Sequence, residues 1–198
     1  MVQNPYQNAL LPAPVGGGYS DPDYWIWCGS VVQGEDGAYH MFASRWPKDL
    51  GFGANWLFNC EIVRASSKNP EGPYTFQEVV LGRRGRTFFD GMNVHNPYIR
   101  KWNQTYYLYY MGTTFGGPIP GPGDEVDSSR FTEVWNRKRI GLATAPSIFG
   151  PWTRCDEPLI FPRDCSHWDC TATTNPAVAI QPDGTTYMLY KSRSFADG

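Results

Sequence analysis

The chain has 198 residues, a formal net charge of −2, 41% hydrophobic residues and 16% aromatic residues. That length supports one sizeable core, and that hydrophobic share excludes a disordered chain. The small net charge, with no basic block or stripe, excludes nucleic acid and an anionic membrane surface as the main partner, and no apolar run approaches the roughly 20 residues of a membrane span.

Residues 1–15 have neither a basic n-region nor an apolar h-region. The expectation is therefore no secretion signal and a cytoplasmic location by default, with the periplasm or exterior open if a leader has been removed. Helical periodicity is nearly absent throughout. Short runs of Val, Ile, Tyr and Phe are punctuated by Gly, Pro, Asn and Asp, which reads as all-β.

The first hairpin runs from Asp23 through Gly29-Ser30-Val31-Val32, turns at residues 34–37 and returns over 38–42. Two further hairpins share its design. One has Asp90, Asn96-Pro97-Tyr98-Ile99, a turn at 102–104 and a return over 105–109. The other has Asp169, Asn175-Pro176-Ala177-Val178, a turn at 181–184 and a return over 186–190. In each, the Asp stands six residues before the Gly-Ser or Asn-Pro pair. A second pattern alternates with the first: Ile62-Val63-Arg64-Ala65, then Gly72-Pro73-Tyr74; and Ile140-Gly141-Leu142-Ala143, then Gly150-Pro151-Trp152. A strand follows each. Pro after Gly fixes the corner and suits an edge strand.

Four strands therefore repeat every 70–80 residues, the design of a propeller blade. The reading is a single partial β-propeller domain over 1–198, with blade 1 at about 24–82, blade 2 at about 91–162, and an incomplete blade 3 at about 170–198. An open blade edge predicts a homo-oligomer that covers it, or poor solubility. Five cysteines without a C-x-x-C pair imply neither a zinc site nor a closed disulfide framework, and are expected to be buried free thiols. No cofactor or metal is expected. The acidic run at 124–127 lacks the alternating ligand spacing of a calcium loop.

The segments "HNPYIRKWNQTYYLYYMGT" (95–113) and "RIGLATAPSIFGPW" (139–152) resemble the five-bladed β-propeller glycoside hydrolases of the family 43 and family 117-like groups. Fructosidases and mannoside phosphorylases are more distant relatives. The resemblance spans residues 20–198. It implies carboxylates from inner strands of different blades meeting at a central funnel. The sequence departs from family 43 at Gly29-Ser30, where Asp-Pro would stand, at Asn96-Pro97-Tyr98, and near Asn175-Pro176, where a Glu would stand. Family 43 substrates are therefore not carried over.

In a propeller the innermost strand of each blade lines the channel, so Asp23, Asp90 and Asp169 are expected to converge at one mouth. Clustered carboxylates split their pKa values into an acid and a base, as an inverting glycosidase requires. A turn-capping role for the same residues stays open. His95 is a candidate acid or sugar hydrogen-bond donor, and His167 a candidate to orient Asp169. The long loops at 45–59 and 113–138 are expected to rim the site, with Trp46 and Trp56 as sugar-stacking platforms. Glu61, Arg64 and Arg193 are further substrate-binding candidates. The functional expectation is hydrolysis of a plant or algal oligosaccharide by carboxylate acid–base catalysis with inversion. A non-catalytic carbohydrate-binding propeller and a glycoside phosphorylase are the alternatives. The count of carboxylates in the channel separates the first two.

Overall fold

A computed structural model describes residues 9–194. Strands β1 (Tyr24–Gln33), β2 (Tyr39–Pro47), β3 (Glu61–Ser67) and β4 (Thr75–Leu81) form one antiparallel sheet in sequence order. Strands β5 (Asn93–Trp102), β6 (Thr105–Thr113), β7 (Arg139–Ala145) and β8 (Thr153–Arg154) form a second in the same order. Strands β9 (Thr174–Ile180) and β10 (Thr186–Lys191) pair as a third. The sheets do not close into a ring, so the fold is all-β and a partial β-propeller. Two short helices interrupt it: α1 (Trp56–Asn59) and α2 (Ser128–Asn136).

Local chemistry explains the turns. Asn103 and Gln104 between β5 and β6 both take positive φ, 47° and 63°, as a tight hairpin of this hand requires. The corners Gly72 and Gly150 have φ of 88° and 92°, where a side chain would be strained. The strands β2 and β6 are buried on both faces, so their apolar runs lose the two-residue alternation. The outer face of β10 stays open, with Tyr187 63% and Leu189 80% exposed.

The core lies between the first two sheets. Phe42, Ile62 and Leu81 interleave with Val94, Ile99, Tyr106, Leu108, Tyr110 and Ile148. Full burial of such a side chain contributes about 1.5–3 kcal/mol. A polar tie reinforces this contact. Glu35, in the β1–β2 turn, accepts from the Tyr106 hydroxyl at 2.6 Å, the Ile148 amide at 3.1 Å and the Ser147 hydroxyl. Burial would push its carboxyl up, but the hydrogen bonds from Ser147, Tyr106 and the backbone outweigh it and hold the pKa at about 2.

Each inner strand carries a β-bulge. Pairing shifts between Trp27 and Ser30 in β1, between His95 and Tyr98 in β5, and opposite Leu189–Lys191 in β9. The bulged residues Cys28, Asn96 and Asn175 share φ values of 54°, 51° and 52°. Asn tolerates this left-handed conformation better than most residues. The structural equivalents are therefore Cys28, Asn96 and Asn175. The sequence alignment, which matched Gly29 to the two asparagines, is shifted by one residue in the first hairpin. Six residues before its bulge stands Pro22, so Asp23 is not the counterpart of Asp90 and Asp169.

Those two aspartates are pinned instead of free. Asp90 is fully buried. Its Oδ1 takes the Arg84 guanidinium at 2.7 Å, and its Oδ2 takes the Tyr110 hydroxyl at 2.7 Å and Arg154 at 3.4 Å. Asp169, 1% exposed, repeats this with Arg163 at 2.7 Å and the Tyr190 hydroxyl at 2.6 Å. Burial raises the Asp169 pKa, but Tyr190 and Arg163 prevail and hold it below the usual range. Burial beside Asp90 pushes the Tyr110 phenol up, so Tyr110 remains the donor. The packing leaves no slack: a Cβ at Gly112 would stand 2.2 Å from that of Asp90.

The thiols divide. Cys60 and Cys170 are buried as expected, whereas Cys155 and Cys165 are exposed because they lie in loops outside the sheets.

Two outcomes follow from these ties. Asp90→Ala strands the Arg84 and Tyr110 donors and should lower unfolding free energy by about 3 kcal/mol in urea titration. Asp23→Asn, at an exposed position, should change it by less than about 0.5 kcal/mol. Because the folded Glu35 pKa lies below its ordinary value of 4.5, its contribution is present above that value and is lost as pH falls through about 2. Glu35→Gln should flatten that acid limb, by roughly 1 kcal/mol after solvent screening.

Candidate functional site

Two loops that leave second strands build an aromatic wall. After β2, residues 48–59 end in α1 and present Phe52 and Trp56. After β6, a long loop ends in α2. Asp127 caps that helix by accepting from the Arg130 amide at 2.9 Å. Phe131, Val134 and Trp135 then fall on one face, three and four residues apart. They pack against Leu57 and Phe58 in a small core of their own with Met92 and Phe115. The sequence reading missed α2. Its signal was the Asp cap and the 131/134/135 spacing, which is too short to stand out from strand-like surroundings.

Between these loops and the inner strands lies a cavity of about 300 Å³. Trp27, Trp46 and Phe52 form one side, and Trp56 and Trp135 the other. His95, Asn96, Asn175, Lys138 and Lys191 supply its polar groups. The rings brace one another. Phe52 meets Trp27 at 5.8 Å and Trp46 at 5.5 Å between centroids, and Trp56 meets Trp135 edge-on at 5.5 Å. Trp27 is 49% exposed and forms an open lip. The three bulges meet in an adjoining hollow of about 270 Å³, lined by Cys28, Asn96 and Asn175.

His95 is buried between Trp46 and Trp56, with centroids 6.3 and 5.3 Å away. Its Nδ1 donates to the Asn96 side-chain carbonyl, which leaves Nε2 a lone-pair acceptor, buried and without a partner among the described residues. Burial lowers its pKa to about 3, and Lys138 acts in the same direction. The imidazole is thus neutral at ordinary pH and suited to accept a hydrogen bond. It is not a reservoir of protons. Lys138 is 2% exposed and lies 2.9 Å over the Trp135 ring. Burial, then Lys191 and Arg193, lowers its pKa to about 6.

The structure brings three of the sequence candidates, His95, Trp46 and Trp56, to this cavity. It does not bring the three aspartates together. Asp90 and Asp169 are held in their Arg–Tyr clamps, and Asp23 lies in a shallow surface groove with Tyr24, Lys48 and Asp49. No carboxylate lines the aromatic cavity among the described residues. Glu61 pairs with Arg45 at 2.8 Å, and Arg64 with Glu78 at 2.8 Å and His40 at 2.9 Å, so Glu61 and Arg64 neither pair with each other nor reach the cavity. His167 contacts Asp164 at 3.1 Å, not Asp169. Arg193 bonds Asn136 at 3.1 Å and lies 5.7 Å from the Trp135 ring, and it does not line the cavity. Trp27, Trp135, Lys138 and Lys191 were not singled out from the sequence. Lys138 had a signal there: it occupies the repeat position that is Cys60 in the first sheet, and a lysine in place of a buried thiol breaks the repeat.

No family model matches the sequence, and no curated protein does. Solved structures are similar to it in fold. A family 117 glycoside hydrolase, Zg3597 of the marine bacterium Zobellia galactanivorans, superposes with a TM-score of 0.65 at 21% identity over 87% of this chain and 49% of that one. The β-xylosidase/α-arabinofuranosidase CoXyl43 from a compost microbial metagenome, in complex with xylotriose, gives 0.53 at 20% identity over 84% and 42%. The Bacillus subtilis arabinanase Arb43A gives 0.52 at 19% identity over 82% and 46%. The chain spans about half the length of these proteins or less. It has the fold of the β-propeller glycoside hydrolases of families 117 and 43, of which it forms a partial propeller.

Proposed function

We propose that the chain binds an oligosaccharide in the cavity walled by Trp27, Trp46, Trp56 and Trp135. The carrying observation is the pairing of aromatic faces with a buried, unpartnered hydrogen-bond acceptor, His95 Nε2. A pyranose has an apolar face that packs on an indole and hydroxyls that need partners. Asn96 and Asn175 offer amide donors and acceptors to those hydroxyls, and His95 Nε2 accepts from one of them. The bound xylotriose in a protein of similar fold supports the ligand class.

Hydrolysis is the second reading, favoured by the likeness to glycoside hydrolases. Inverting catalysis needs two carboxyl groups roughly 6.5–9.5 Å apart across the scissile bond. The cavity offers none among the described residues, so binding is the reading its chemistry favours.

Titration of xylotriose and a panel of plant and algal oligosaccharides, followed by tryptophan fluorescence, should show saturable binding. Trp27→Ala and Trp56→Ala should each weaken it about tenfold with folding intact. Incubation with the same panel and with aryl glycosides should release no product. Product release abolished by Trp27→Ala or Trp56→Ala would establish hydrolysis at this cavity instead, and binding unaffected by both Trp variants would remove the cavity from the account.

A further inference from the structure

The cationic side of the cavity is uncompensated. Lys138 is 2% exposed and lines the cavity, which no carboxylate lines among the described residues. It rests on the Trp135 ring at 2.9 Å and lies 5.8 Å from the Trp56 ring. Two more cations crowd the same indole, Lys191 at 5.9 Å and Arg193 at 5.7 Å. Other buried cations of this chain are matched: Arg45 faces Glu61 and Arg64 faces Glu78. A buried charge without a counter-ion is costly, and the neighbouring lysine and arginine raise that cost. Aromatic faces offset part of it. Burial meets the remainder by lowering the Lys138 pKa to about 6, so the amine is largely neutral above that pH, and an oxyanion from outside is what holds a charge there; a neutral sugar brings none.

We propose that the cavity takes a saccharide carrying an oxyanion, a uronate carboxylate or a sulfate ester, with the anion bound between Lys138 and Lys191 and the sugar ring against Trp27 and Trp56. This rests on the saccharide-binding reading above and narrows it to a substrate class. Charge-assisted hydrogen bonds from ammonium to oxyanion are strong when water is excluded. The bound anion also restores the proton that burial disfavours on Lys138, whose free pKa is about 6. Binding therefore takes up a proton, and affinity for the anionic sugar rises as pH falls from 8 to 5.5, a range in which carboxylate and sulfate stay ionised. Lys191 and Arg193 are the other charged groups facing Lys138, and His95, neutral above about 3, is the remaining titratable one.

The test compares trigalacturonate, its neutral galactose counterpart, galactose 6-sulfate, galactose, and inorganic sulfate and phosphate, titrated by tryptophan fluorescence and calorimetry at pH 5.5 and 8. The expected result is at least about tenfold tighter binding of the anionic member of each sugar pair. That preference should be larger at pH 5.5, lost in Lys138→Met and kept in Lys138→Arg. Lys138→Met should also raise the urea midpoint of the free protein at pH 5.5, where the buried amine is charged, and raise it less at pH 8; Lys191→Met gives the same affinity test from the more accessible partner. Equal binding of neutral and anionic sugars, with the Trp dependence retained, would overturn the anion inference alone. Inorganic sulfate or phosphate binding as tightly as the sugar anions, through Lys138, would assign the site to a free oxyanion and overturn the sugar-borne one. Binding of no sugar would overturn both this inference and the saccharide reading.

Discussion

A carboxylate with no water around it must find its counter-charge in the protein, and two of the inner strands are hung from that requirement. Asp90 and Asp169 stand just ahead of β5 and β9, each gripped by an arginine six residues earlier and a tyrosine from the adjoining strand. The clamp joins the approach segment, the inner strand and its neighbour in one polar knot. Leaving any member unpaired costs several kcal/mol. The strand start is thereby fixed in three dimensions, and the bulge six residues later falls at the same place in both sheets. In the first sheet a different contact does this work: Lys48 bonds the carbonyls of Asp21 and Pro22 at 2.8 and 2.9 Å.

The bulges convert that placement into a shared hollow. An extra residue in left-handed conformation turns its side chain out of the pleat. Three inner strands do this side by side, so Cys28, Asn96 and Asn175 meet where the sheets converge. Two of these are amides, which offer a donor and an acceptor each. His95, one residue before the β5 bulge, is tied to Asn96 and so directs its free nitrogen by the same geometry.

The aromatic wall is held to a different standard of rigidity. It is built on α1 and α2, elements of four and nine residues that would not persist alone. Their shared apolar cluster holds Trp56 and Trp135 against the inner strands. Lys138 stands two residues past α2, and its amide donates to the Trp135 carbonyl, so the helix end carries its amine in among the indoles. Charge, aromatic area and hydrogen-bonding capacity thus reach one cavity from three separate parts of the chain.

The repeated hairpins made the all-β propeller readable from the sequence, because strand periodicity and turn chemistry act over a few residues and leave their mark in order along the chain. That Trp46, Trp56 and His95 lie on one cavity was legible too, since Trp46 lies near the end of β2, Trp56 opens the helix after it and His95 lies near the start of β5. The fate of the aspartates was not. Whether a carboxylate faces a channel or an arginine depends on Arg84 and Tyr110, or Arg163 and Tyr190, which become neighbours only when the strands pair. The one-residue offset in the first hairpin was hidden for the same reason: a bulge is a property of two strands in register, and Gly29 looks as good a partner for Asn96 as Cys28 does until β2 is laid beside β1. Lys138 among tryptophans exists only in the folded chain, because burial between indoles is what lowers the pKa of an ordinary lysine to about 6.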